Sequence, residues 1–201
     1  LDPTIAKYGY YIKNDTKLAL KTLSGDINGS YRNVFYIDAP EGDFEVVVRV
    51  TGMFNSEGQT AGIIVFSETM RNHAIAVAKR YYDPVNSNYN LGNYYELYSY
   101  KGTSFNNNTS KSVGSFPNVY LKLEYKDGVV RGYTSLTGTG SWTPIVGTCK
   151  DNEMFKAGKI KIGLFGCAGS AGDITDISVE SFTLNGKQIS FVGEDSAISK
   201  V

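Results

Sequence analysis

Four short stretches of alternating residues hold most of the side chains able to recognise a ligand. In HAIAVAKRYY (73–82), Ile75 and Val77 read as inward-facing. That turns Asn72, Ala74, Ala76, Ala78, Arg80 and Tyr82 to the other side of one strand. In 93–100, an inward Leu97 turns Tyr94, Glu96, Tyr98 and Tyr100 outward. The hairpin around Asp127-Gly128 adds Tyr120, Lys122, Glu124 and Arg131, with Tyr133 beside them. The expected surface is a low floor of alanines walled by phenols, carboxylates and guanidinium groups. Such a face suits a sugar. A phenol packs a large apolar ring on the apolar side of a pyranose at little entropic cost. Arginine presents a fixed fork of donors to neighbouring hydroxyls. The same tyrosines could instead stabilise cross-strand pairs, or be covered by a neighbouring domain.

Two further groups extend the candidate set. The loop between the first two stretches places Asn88 and Tyr89 where they could cap one end of a groove. Trp142, the single tryptophan, follows a glycine-rich turn and reads either as a platform on the rim or as a plug in the core. Asp26, Asn28 and Gly29 put oxygen donors in a tight turn, which Asp173 and Asp176 could join in space to hold one structural calcium ion. A plain Asx turn needs no more than the same Asp, Asn and Gly.

Catalytic chemistry finds less support. A carboxylate pair on one strand face must be spaced i, i+2, and no such pair sits inside a strong strand. Asp43/Glu45 lies at a turn edge, Asp151/Glu153 in a loop, and Glu124 and Asp127 straddle a hairpin tip. Glu96 has no local partner, although Glu124 could face it from a neighbouring strand. With one histidine, His73, a multi-histidine metal site is excluded, and no nucleophile motif surrounds Cys149 or Cys167. The two cysteines read as buried thiols in preference to a disulfide. The expectation is a non-enzyme.

The elements that must position these residues are almost all strands. VYLKLEY (119–125) and FEVVVRV (44–50) alternate with period two, and Asp-Gly between apolar runs signals a hairpin. Strands are expected near 8–12, 17–23, 31–38, 43–52, 60–67, 72–82, 93–100, 118–125, 128–136, 142–147, 158–165, 174–184 and 187–192. A short helix or turn is expected at 151–155, and long polar loops at 82–93 and 101–116. This is an all-β chain that reads as a two-sheet antiparallel β-sandwich, one domain over 1–192 with a tail or linker stub at 193–201. Formal charge is balanced, so there is no basic footprint for nucleic acid. No apolar run approaches the roughly 20 residues that span a bilayer. The abundance of Tyr, Gly, Ser and Asn suits an extracellular setting.

In order, the motifs EGDFEVVVRV, AGIIVF, VYLKLEYKDGVVRGYTSLTGTGSWTPI, KIKIGLFG and DISVESFTL resemble those of the concanavalin A-like lectin/glucanase superfamily. More narrowly, they resemble the C-terminal concanavalin A-like domains of bacterial β-xylosidases and related modules of secreted glycoside hydrolases. The resemblance spans 17–184. It implies a jelly roll with a concave sheet often used as a sugar-binding groove. Hydrolytic relatives carry Glu-x-Asp-x-x-Glu on one strand, and that spacing is absent here. The implied role is a non-catalytic carbohydrate-binding module of a secreted bacterial enzyme. The alternatives are a structural domain packed on a catalytic domain and a glycoside hydrolase with dispersed carboxylates.

Overall fold

The computed structural model describes residues 10–23, 25, 27, 33–82, 85, 92–106, 112–113, 116–168, 176–191 and 199–200. Two eight-stranded antiparallel sheets face each other. Sheet A runs β1 (Tyr10–Asn14), β2 (Lys17–Lys21), β14 (Asp176–Leu184), β4 (Phe44–Thr51), β10 (Asn118–Lys126), β11 (Val129–Ser135) and β12 (Thr143–Cys149), with β15 (Lys187–Gln188) beside β14. Sheet B runs β16 (Ser199–Lys200), β3 (Val34–Asp38), β13 (Ile160–Cys167), β5 (Thr60–Ser67), β6 (His73–Tyr82), β7 (Gly92–Lys101) and β8 (Ser104–Asn106), with β9 (Ser112–Val113) beside β7. Among the described residues one helix, α1 (Asn152–Ala157), follows β12.

The expected strands are present. The differences are at the edges. β8 and β9 form within the stretch read as a loop, and β16, within the stretch read as a tail, pairs with β3. Asp127 and Gly128 join β10 to β11 with φ of 52° and 76°, and Lys126 pairs with Val129. Positive φ at both turn positions is the two-residue hairpin geometry that matches strand twist.

Burial differs between the sheets, and the difference explains their sequences. β4 and β10 alternate buried and half-buried residues, because sheet A has one face in the core and one in water. β5, β6 and most of β7 are buried at successive positions. Sheet B is covered on both sides. Its inner face meets sheet A: Val46, Val48, Leu121 and Leu123 pack with Ile63, Val77, Leu97 and Ile162. Its outer face carries a second apolar cluster, in which Ile27 packs with Ile64, Phe66, Tyr98, Phe165 and the three alanines of β6. Ile27 lies on the connection from β2 to β3, which leaves sheet A through a bridge between Leu23 and Cys167. Cys149 belongs to the first cluster and Cys167 to the second; both are buried free thiols.

Candidate functional site

Strand parity is as the alternation requires. Ala74, Ala76, Ala78 and Arg80 of β6 stand opposite Tyr100, Tyr98, Glu96 and Tyr94 of β7, and directly opposed residues share a face. What the alternation does not disclose is cover. The three alanines are fully buried beneath the Ile27 cluster, so the expected open floor is corrected to a packed slot. Small side chains fit there because Ile27 and the rings of the same cluster pack against them. Asn72 is exposed at the far end of β6 from Arg80, about 26 Å away at strand rise, and takes no part in the same site.

The part of this face that reaches solvent is its edge. Arg80 Nη1 lies 2.8 Å from Glu96 Oε2, and the guanidinium carbon sits 4.4 Å from the Tyr98 ring centre and 5.8 Å from that of Phe105. Tyr94 donates to the same Glu96 oxygen at 3.5 Å and stacks on Tyr82 with centroids 5.5 Å apart. Glu96 is 1% exposed, yet among the described residues its second oxygen, Oε1, has no hydrogen-bond partner. An unsatisfied buried carboxylate oxygen is costly, so Oε1 is an acceptor that a water, an ion or a ligand group would satisfy. Burial raises the Tyr94 phenol far above its ordinary pKa, with Arg80 partly offsetting it, so the phenol stays a hydrogen-bond donor. Tyr82, Tyr100 and Phe105 are the rings of this face in contact with water. Phe105, from β8, was missed because its strand lies inside a polar stretch.

Tyr120, Lys122, Glu124, Arg131 and Trp142 form a different surface. β10 and β11 belong to sheet A, so their outward side chains lie on the opposite face of the sandwich from Arg80 and Glu96. The single groove expected from alternation is therefore two surfaces, because parity fixes a residue's side and not its sheet. On sheet A, Lys122 Nζ sits 4.6 Å from the Tyr133 ring centre and 4.8 Å from that of Trp142, and pairs with Glu45 at 3.2 Å. Arg131 pairs with Glu124 at 3.6 Å. The 136–140 turn lies flat on Tyr120: a Cβ on Gly138 would stand 2.6 Å from that ring. Burial, then Glu124, raises the Tyr133 phenol. Trp142 is half-buried against Lys122, so it is not a core plug.

Glu96 and Glu124, which could have faced each other as an acid pair, are on opposite sides of the molecule. Glu45 and Glu124 oppose each other in the β4–β10 register, but each is engaged by a cation. Asn88, Tyr89, Asp26, Asn28 and Asp173 lie outside the described residues; Asp176 starts β14 opposite Lys21. Among the described residues no group of three His, Cys, Asp or Glu side chains is placed to hold a metal.

No protein-family model and no curated protein matches the chain. Solved structures do. The GH43 protein BlXynB mutant (K247S) from Bacillus licheniformis superposes with a TM-score of 0.71 at 16% identity, over 84% of this chain and 32% of that one. The xylan beta-1,4-xylosidase from Bacillus halodurans C-125 gives 0.69 at 14% identity, over 84% and 32%. A functionally unknown protein from Saccharomyces cerevisiae gives 0.60 at 16% identity, over 92% and 96%. The chain thus spans about a third of the length of the two Bacillus enzymes. The fold is a two-sheet antiparallel β-sandwich, shared with a part of each of these two Bacillus proteins.

Proposed function

We propose that this chain is a non-catalytic carbohydrate-binding domain, appended to a glycan-active enzyme of a secreted bacterial system. The observation that carries the proposal is the Arg80–Glu96 pair with a spare carboxylate oxygen, framed by Tyr82, Tyr94, Tyr98 and Phe105. The spare Glu96 oxygen supplies an acceptor for a hydroxyl, Arg80 fixes that carboxylate in place, and the rim rings supply a stacking surface. The site is small, so affinity is modest. Its likeness in fold to about a third of the GH43 protein and of the xylan beta-1,4-xylosidase supports an accessory role beside a catalytic domain.

A glycan array on the intact chain tests this, with Tyr82→Ala and Phe105→Ala as controls at solvent-reaching positions. Binding that both substitutions weaken supports the reading. An array with no signal at high protein concentration contradicts it. The second reading, a domain whose outer sheet packs against a catalytic domain, is favoured by the half-buried Trp142–Lys122–Tyr133 ladder on sheet A.

A further inference from the structure

We infer that the cleft beside α1 is a second ligand site, which takes a neutral sugar ring; the class of ligand rests on the carbohydrate reading, the site itself on geometry. The β3–β4 turn, β10, α1 and the start of β13 enclose a cleft of about 410 Å³, inside the range of roughly 300–1,000 Å³ that small-molecule sites occupy. It lies at the end of the sandwich opposite Arg80: β6 begins there at His73, and β13 begins there with Ile160 paired to Ser67.

The cleft has an aromatic wall. Phe44 lies 5.2 Å from Tyr125, and Tyr125 lies 4.2 Å from Phe155 with the rings 15° from parallel. Its rim is held by hydrogen bonds, so the shape exists before any ligand arrives. Ala39 N–H donates to the Ile160 carbonyl at 2.9 Å, joining the two sides. Ser67 Oγ donates to the Gly158 carbonyl at 2.8 Å, and Glu68 N–H to the Lys159 carbonyl at 3.2 Å. Glu41 and Lys159 line the opening, and among the described residues neither side chain makes an ion pair or hydrogen bond.

These groups define the ligand. One carboxylate and one ammonium at the mouth balance in charge, so the opening carries no net charge to select an acid or a cation. A neutral ring with an apolar face for the aromatic wall and hydroxyls for both head groups satisfies all of them. A second depression of about 250 Å³ shares Phe44 and Tyr125 and continues toward Asn185. The ligand can therefore run past the wall as an oligosaccharide.

The test is a backbone-amide NMR titration of the intact chain with methyl β-D-xylopyranoside and methyl β-D-glucopyranoside, with benzoate as a charged aromatic counter-probe. The expected result is saturable shifts at Gly42, Phe155 and Gly158 with at least one pyranoside. Binding should weaken about five-fold in each of Glu41→Ala and Lys159→Ala, the loss of roughly one hydrogen bond. Both substitutions are at exposed positions, and the unperturbed part of each spectrum reports that the fold is kept. No saturable shift at these amides overturns the site. A stronger response to benzoate overturns the ligand class, and wild-type affinity in both variants overturns the assigned groups. The Arg80 and Tyr94 amides report the first site separately in the same spectra, so either site can fail without the other.

Discussion

Asp151 uses its two carboxylate oxygens for two different tasks: Oδ2 lies 2.8 Å from His73 Nδ1, and Oδ1 accepts the Met154 N–H at 3.0 Å. One fully buried side chain thus caps α1 and ties it to the first residue of β6 in sheet B, with Lys101 Nζ 3.8 Å away. Asp151→Ala removes the cap, worth about 1 kcal/mol, and leaves the buried His73 Nδ1 without its hydrogen-bond partner, worth about 1–3 kcal/mol. Urea unfolding should show a loss of at least about 2 kcal/mol. Asp151→Asn keeps the capping oxygen and should recover about 1 kcal/mol of it.

Lys79 makes stability depend on pH. It points into the core and donates to the carbonyls of Gly52 at 2.5 Å and Phe116 at 2.9 Å. Burial lowers its pKa from 10.5 to about 8. Between those values the unfolded chain binds the extra proton, so stability rises with pH across the window and is lost as pH falls through the lower value. From pH 8 to 9 the gain is at most about 1.4 kcal/mol. Above pH 9 Cys149 opposes it, because burial raises that thiol from 9.0 to about 11 and makes the folded chain the better proton binder. Denaturation of wild type and Lys79→Met at pH 8.0 and 9.0 checks this: the rise should be present in the first and flattened in the second.

Ile27 is the lid on the alanine slot. Ile27→Ala should cost about 2–5 kcal/mol, as truncation in a packed core does, despite the position lying on a connection between strands. A loss below about 0.5 kcal/mol in thermal or urea unfolding would mean that the slot is not sealed by this residue.

The Arg80–Glu96 pair separates stability from recognition. Arg80→Met alone leaves Glu96 buried without its cation and should cost about 3–5 kcal/mol. Arg80→Met with Glu96→Met replaces both charges by apolar groups, and most of that loss should return. Glycan binding should be absent from both. A double variant that is stable and binds like wild type would assign the pair to folding alone.

Much of this architecture is legible in the sequence, because alternation and turn chemistry are local. The Asp127-Gly128 hairpin, the inward sets Ile75/Val77 and Leu121/Leu123, and the outward parity of Arg80, Tyr94 and Glu96 all follow from residue order. What residue order leaves open is long-range. Nothing in the alternation of 119–125 says that β10 pairs with β4 in one sheet while β7 pairs with β6 in the other. The cover provided by Ile27 is a single side chain on a connection, without a periodic signal. Phe105 and the Phe44–Tyr125–Phe155 wall are likewise assembled from separate parts of the chain.

The most direct test of the carbohydrate reading is an amide NMR titration with xylo-oligosaccharides that follows Arg80, Tyr94 and Phe105. The account predicts saturable shifts centred on these residues and abolished by Tyr82→Ala. Shifts confined to Tyr120, Lys122, Tyr133 and Trp142 on sheet A, with the Arg80 edge silent, would contradict it.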